Sequence, residues 1–183
     1  EAVTLILLRK LFNKESKKKK VSIPNLFEIA NKLGSDVPAC LESKSLKISG
    51  FGNKIKRNLI SNDYSYLLVN PNIKVSTKKV FSQLSCFSHE KQFDKKIIFE
   101  NINVYNSLLS SAIKLAPPIL DILSILKNIP NIVAYGMSGS GSTCFGIFRS
   151  NKFILPISGY FNDKYYIWYG KKKDYNGNGV SRV

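Results

Sequence analysis

Residues 136–142 read Gly-Met-Ser-Gly-Ser-Gly-Ser, three glycines set among small hydroxyl side chains. Such a run leaves successive backbone N–H groups free to face an anion, because no bulky side chain blocks the approach. It has neither the Lys nor the spacing of a Walker loop, and it does not fit the dinucleotide-binding fingerprint. Taken alone it suits a plain hairpin connection equally well. A second string, Leu33-Gly34-Ser35-Asp36-Val37-Pro38, places an acid just after a helix-capping glycine. By default that acid is an N-cap or turn residue. His89 is the only histidine; a general base is conceivable, but its polar stretch, Ser88 to Asp94, reads as exposed surface. Cys40, Cys86 and Cys144 are widely spaced and odd in number, which gives neither a metal-ligand set nor a disulfide framework. With no His or Cys pairing, triad and zinc chemistry are excluded, and the thiols point to a reducing cytoplasm.

The elements that must position these residues follow from periodicity and breakers. Ala2 to Asn13 is apolar on most sides and reads as a buried helix, and Asn13 to Lys20 as a solvated basic loop. Pro24 suits the first turn of a helix over Asn25–Leu33, capped by Gly34. Short β-signals occupy Ala39–Glu42, Ser45–Ser49, Asn53–Leu59 and Tyr66–Val69, with a Gly50-Phe51-Gly52 turn among them. Helices are predicted over Ser76–Leu84, with Ser76 or Thr77 as N-cap, then over Asn103–Lys114 and Pro118–Lys127. Ala116-Pro117-Pro118 breaks the chain between the last two. Strands Ile132–Tyr135 and Thr143–Phe148 flank the glycine loop, and Tyr165–Tyr169 reads as a last strand. From Lys171 onward apolar periodicity is lost and disorder is expected. Helices interleaved with hairpins indicate α+β architecture.

The 183 residues, 44% hydrophobic and 11% aromatic, have the composition of a globular chain with a core. No run is apolar enough to span a bilayer, so no membrane partner is expected. The net charge of +16 raises the question of nucleic acid. Arginine, which grips phosphates bidentately and reads guanine, occurs only at Arg9, Arg57, Arg149 and Arg182. The excess is lysine, in a chain also rich in Asn and Ile, so a coding bias accounts for it and nucleic acid is not expected as a partner. Salt-dependent binding to arbitrary DNA would favour the opposite reading.

Several strings, in order, resemble the GHMP kinases. Met137-Ser138-Gly139-Ser140-Gly141-Ser142, followed by Cys144-Phe145-Gly146, resembles their third motif, which lies beside the nucleotide phosphates. Leu33 to Pro38 resembles their Leu-Gly-Ala-Asp-Val-Pro segment, so the resemblance makes Asp36 the catalytic acid. Ser49 to Asn53 resembles a Gly-x-Gly-Glu turn, with Asn53 in place of Glu. Asn70-Pro71 through Val75 to Phe81 resembles the segment holding a cytidine end of the substrate. There Thr77 would be a polar contact and Phe81 the ring on which cytosine stacks; a core position on its helix is the equal alternative for Phe81. Tyr105-Asn106-Ser107-Leu108 resembles the Asn-Asp-Leu helix start, with Ser107 in place of Asp. The resemblance spans Ala2 to Phe148 and fades after Arg149, where Lys152 to Gly159 lacks the expected helix.

The resemblance implies a fold and a function. The fold would be a partial half of the ribosomal-protein-S5-like N-terminal domain over residues 1–62 and a ferredoxin-like α/β C-terminal domain over 63–170, followed by a tail over 171–183. The function would be transfer of the γ-phosphoryl group of ATP, with Mg²⁺, to the tertiary 2-hydroxyl of a cytidine-diphosphate-linked methylerythritol, in non-mevalonate isoprenoid biosynthesis. The family's main phosphate loop and a catalytic lysine are expected ahead of residue 1, so these 183 residues by themselves are expected to turn over poorly. A non-catalytic binding module of the same fold, or another GHMP small-molecule kinase, is the alternative.

Overall fold

The computed structural model describes residues 22–42, 46–50, 52, 54–57, 64–84, 97–99, 102–149 and 159–171. The expected first helix, the basic loop, Phe51, Asn53, Cys86, His89 and the tail beyond Lys171 lie outside them. The chain divides into two compact units, Glu1–Ile60 and Ser61–Val183.

In the first unit, α1 spans Ile23–Leu33 as the sequence predicts. The Ser22 side chain accepts a hydrogen bond from the Asn25 backbone N–H at 3.3 Å, and Pro24 fills a position where a missing N–H costs nothing. Leu26 and Ala30, one turn apart, are buried. Gly34 caps the helix through its N–H to the Ala30 carbonyl, in extended backbone that any residue could adopt. Residues 39–42, predicted as a strand, instead belong to helix α2, Val37–Glu42. Pro38 opens the first turn, and Ala39, Leu41 and Glu42 are strong helix formers that outweigh a four-residue apolar pattern. Strands β1 (Leu46–Ser49) and β2 (Lys54–Arg57) pair antiparallel, with Ser49 opposite Lys54.

The second unit is built on an antiparallel sheet in the order β6-β7-β3-β8, formed by β3 (Tyr64–Asn70), β6 (Ile132–Met137), β7 (Cys144–Arg149) and β8 (Tyr166–Lys171). Leu67 and Val69 on β3 and Cys144 and Phe148 on β7 are wholly or almost wholly buried, spaced by two and by four residues and so on one face of each strand. Helix α5 (Pro118–Asn128) closes that core with Ile119, Ile122, Leu123 and Leu126, a single stripe of the helix. Helix α3 (Thr77–Ser82) is capped by the Ser76 hydroxyl and buries only Val80. The helix predicted from Asn103 starts later, as α4 (Leu109–Leu115). Its expected first turn is a strand: β5 (Ile102–Val104) pairs with β4 (Ile97–Phe99), and β-branched Ile102 and Val104 favour that state. The architecture is α+β. Among the described residues no helix is long and apolar enough to cross a membrane.

Candidate functional site around the glycine loop

The glycine loop is the connection between β6 and β7, closed by two backbone bonds. The Ser138 N–H donates to the Thr143 carbonyl at 2.9 Å and the Gly141 N–H to the Ser138 carbonyl at 3.0 Å. Among the described residues, the N–H groups of Gly139 and Ser140 have no partner. Gly139 adopts φ +55, and a Cβ there would meet nothing within 4 Å, so its outer side is open. The five residues divide by face. Ser138 and Gly139 are exposed and Ser140 is half-buried, whereas the Ser142 side chain is buried and donates to the Ile73 carbonyl at 2.7 Å. The hydroxyl of Ser142 is therefore spent on structure, and Ser138 and Ser140 carry the outward hydroxyls.

Thr77, at the start of α3, reaches this loop: its Oγ1 lies 2.9 Å from Ser140 Oγ. Phe81, one turn further on, is 50% exposed while its neighbour Val80 is fully buried. Helical spacing puts Thr77 and Phe81 on the same face. The ring is thus not a core position, and the structure brings the Thr77 segment and the Ser140 segment together.

Two asparagines, to which the sequence reading gave no role, support these elements. Asn106 donates from Nδ2 to the carbonyls of Met137 and Gly139, both at 2.8 Å, and accepts from the Leu108 N–H at 2.9 Å. Asn70, at the end of β3, donates to Thr143 Oγ1 at 2.8 Å and accepts from the Asn72 N–H at 2.7 Å. A cavity of about 690 Å³ opens beside this network, lined among others by Asn70, Ile73, Val75, Gly141, Thr143 and Tyr166. Asn70 and Thr143 bond each other there, Ser142 and Asn72 bond the carbonyls of Ile73 and Lys164, and neither Thr77 nor Phe81 lines it.

Asp36 belongs to the first unit, directly before α2. It is exposed, and among the described residues its carboxylate accepts one hydrogen bond, from the Ser35 hydroxyl at 3.5 Å. That carboxylate caps no helix N–H, so the default role of an acid in this position does not use it up. Gly52 in the β1–β2 turn is buried at φ +82 against the Ser35 backbone, and a Cβ at Gly52 would collide with the Ser35 carbonyl. The turn therefore presses on the residue next to Asp36.

Residues 91–155 match the family described as GHMP kinases C terminal. The 4-diphosphocytidyl-2-C-methyl-D-erythritol kinase of Ehrlichia chaffeensis is 37% identical over 133 residues, covering 68% of this chain and 47% of that protein. Residues 91–155 belong to the GHMP kinase C-terminal family. The protein of the same name from Bartonella bacilliformis is 28% identical over 162 residues, covering 82% of this chain and 53% of its own length. The chain thus spans about half the length of the curated relatives it matches. A crystal structure titled 4-(cytidine 5'-diphospho)-2C-methyl-D-erythritol kinase shares the fold, with TM-score 0.56 at 24% identity over 79% of this chain and 53% of that one. The signal for Asn106 in the sequence is the helix-start string Tyr105 to Leu108, in which it stands directly before the Ser107 departure.

Proposed function

We propose that this chain is part of an ATP-dependent kinase that phosphorylates the 2-hydroxyl of 4-diphosphocytidyl-2-C-methyl-D-erythritol in isoprenoid-precursor synthesis in the cytoplasm. The observation that carries this reading is the 2.9 Å contact of Thr77 with Ser140, which joins a helix bearing an exposed aromatic ring to a loop with free N–H groups. An aromatic ring offers a stacking surface to a base, and free backbone N–H groups suit phosphate oxygens.

In this reading the Phe81 ring takes the cytosine and Thr77 a polar group on the same side. The N–H groups of Gly139 and Ser140, with the hydroxyls of Ser138 and Ser140, face the phosphates of ATP; the open space at Gly139 fits such a group. Mg²⁺, entering with the nucleotide, would supply charge neutralisation. Asp36 orients the acceptor hydroxyl and takes its proton late, when the alcohol has become acidic enough for a carboxylate to accept it. The loop N–H dipoles stabilise charge as it spreads over the transferring group.

The test has two arms. Calorimetry with the cytidine-linked substrate is expected to show binding that Phe81→Ala weakens. Addition of Mg-ATP is expected to yield the phosphomonoester only slowly from these 183 residues, with Asp36→Asn cutting even that rate by ~10²-fold or more. Binding without transfer would assign the chain to the non-catalytic alternative. Absence of both would sink the proposal.

A further inference from the structure

Asn106 is the side chain on which the exposed part of the glycine loop hangs. Its Nδ2 group donates to the carbonyls of Met137 and Gly139, at 2.8 Å each, on either side of Ser138. Its Oδ1 accepts from Leu108 N–H at 2.9 Å, in a turn that opens α4. The chemistry leaves one orientation for this amide. Carbonyls only accept and a backbone N–H only donates, so the NH₂ must face the loop and the oxygen must face the helix.

The consequence for the loop follows from peptide geometry. In a trans peptide the C=O and the next N–H point in opposite directions. The Gly139–Ser140 peptide is trans, so a Gly139 carbonyl drawn toward Asn106 turns the Ser140 N–H away from it. That N–H has no partner among the described residues. The Met137–Ser138 peptide, held the same way, sends its N–H to the Thr143 carbonyl at 2.9 Å and is thereby closed. One amide side chain thus fixes the carbonyls on either side of Ser138, and of the two N–H groups it turns outward only that of Ser140 remains available. At Gly139, φ +55 with open space outside lets an anion come close.

We propose that Asn106 is a positioning residue that aims the Ser140 N–H at a bound phosphate; this rests on the phosphate reading of the loop given above. It touches no substrate itself. It acts by holding the Gly139 peptide in one orientation before the anion arrives, so that the donor needs no reorganisation on binding.

The experiment is a titration of the ¹⁵N-labelled protein with inorganic pyrophosphate, in wild type, Asn106→Ala and Asn106→Ser. Serine can still accept from the N–H two residues on, as turn-forming hydroxyls do, but is too short to reach both carbonyls. Asn106→Ser is therefore expected to keep α4 intact, with the order parameters of Ala112 and Ile113 near ~0.85, while those of Gly139 and Ser140 fall toward ~0.6 or below. Pyrophosphate affinity, read from the Ser140 amide shift, is expected to fall ~10-fold or more in both variants. Unchanged order at Gly139 and Ser140 together with unchanged affinity in Asn106→Ser would overturn the proposal and leave Asn106 a helix-start residue only. Loss of loop order in a protein whose wild type shows no Ser140 shift with pyrophosphate would overturn the phosphate role of the loop, while upholding Asn106 as its support.

Discussion

Thr77 Oγ1 and Ser140 Oγ stand 2.9 Å apart across 63 residues of sequence, one at the start of a helix and the other at the tip of a glycine loop. Neither side chain is buried, so the contact is not a by-product of core packing. Thr77→Val and Ser140→Ala are expected to be non-additive in urea unfolding, with a coupling of roughly 0.5 to 1 kcal/mol. Strict additivity would mean that the hydroxyls do not act as a pair.

Two glycines with positive φ should respond differently to alanine. Gly139→Ala has open space and carries only the backbone strain, roughly 1 to 2 kcal/mol. Gly52→Ala adds a collision with the Ser35 carbonyl and should cost more, loosening the turn that carries Asp36. Native-state hydrogen exchange at Cys40, whose N–H bonds the Asp36 carbonyl at 3.1 Å, reads that loosening. Faster exchange in Gly139→Ala than in Gly52→Ala would contradict it.

On α3, adjacent residues should separate stability from binding. Val80 is fully buried and Phe81 is 50% exposed. Val80→Ala is expected to lower unfolding free energy by roughly 1 to 3 kcal/mol through lost burial and a residual cavity. Phe81→Ala should change it by less than about 1 kcal/mol. Equal losses in chemical denaturation would place the Phe81 ring in a core.

Burial pushes the Cys144 thiol up to about 12 from 9.0. The folded state thus binds a proton that the unfolded state releases first, so stability falls as pH rises through that window. Unfolding midpoints measured from pH 9 to 11 should fall in wild type and less steeply in Cys144→Ala. At neutral pH a thiol reagent should modify exposed Cys40 well before buried Cys144. A Cys144 that reacts as fast as Cys40 would contradict the packing.

Where the sequence was legible, local chemistry and tertiary packing agreed. Ser22, Pro24 and Gly34 bracket α1, and the glycine loop sits between two strands as its flanking apolar runs predict. The misreadings fell on short segments. Ala39–Glu42 has an apolar pattern too short to distinguish strand from helix, and Pro38 in the first turn, with the helix formers after it, decides it. Asn103 and Val104 read as a helix start because the pairing of Ile102–Val104 with Ile97–Phe99 leaves no mark in helical periodicity. The candidate site was legible as strings but not as bonds. Nothing in residue spacing foretold that Ser142 would turn inward to Ile73, or that Asn106 would hold Met137 and Gly139.

The claim that this chain handles a cytidine-linked substrate is tested most directly by calorimetric titration of 4-diphosphocytidyl-2-C-methyl-D-erythritol into wild type and Phe81→Ala, at fixed ionic strength. Saturable one-site binding in wild type, weakened ~10-fold or more in Phe81→Ala, is the predicted result. No saturable heat in wild type, or equal affinity in the two proteins, would contradict it.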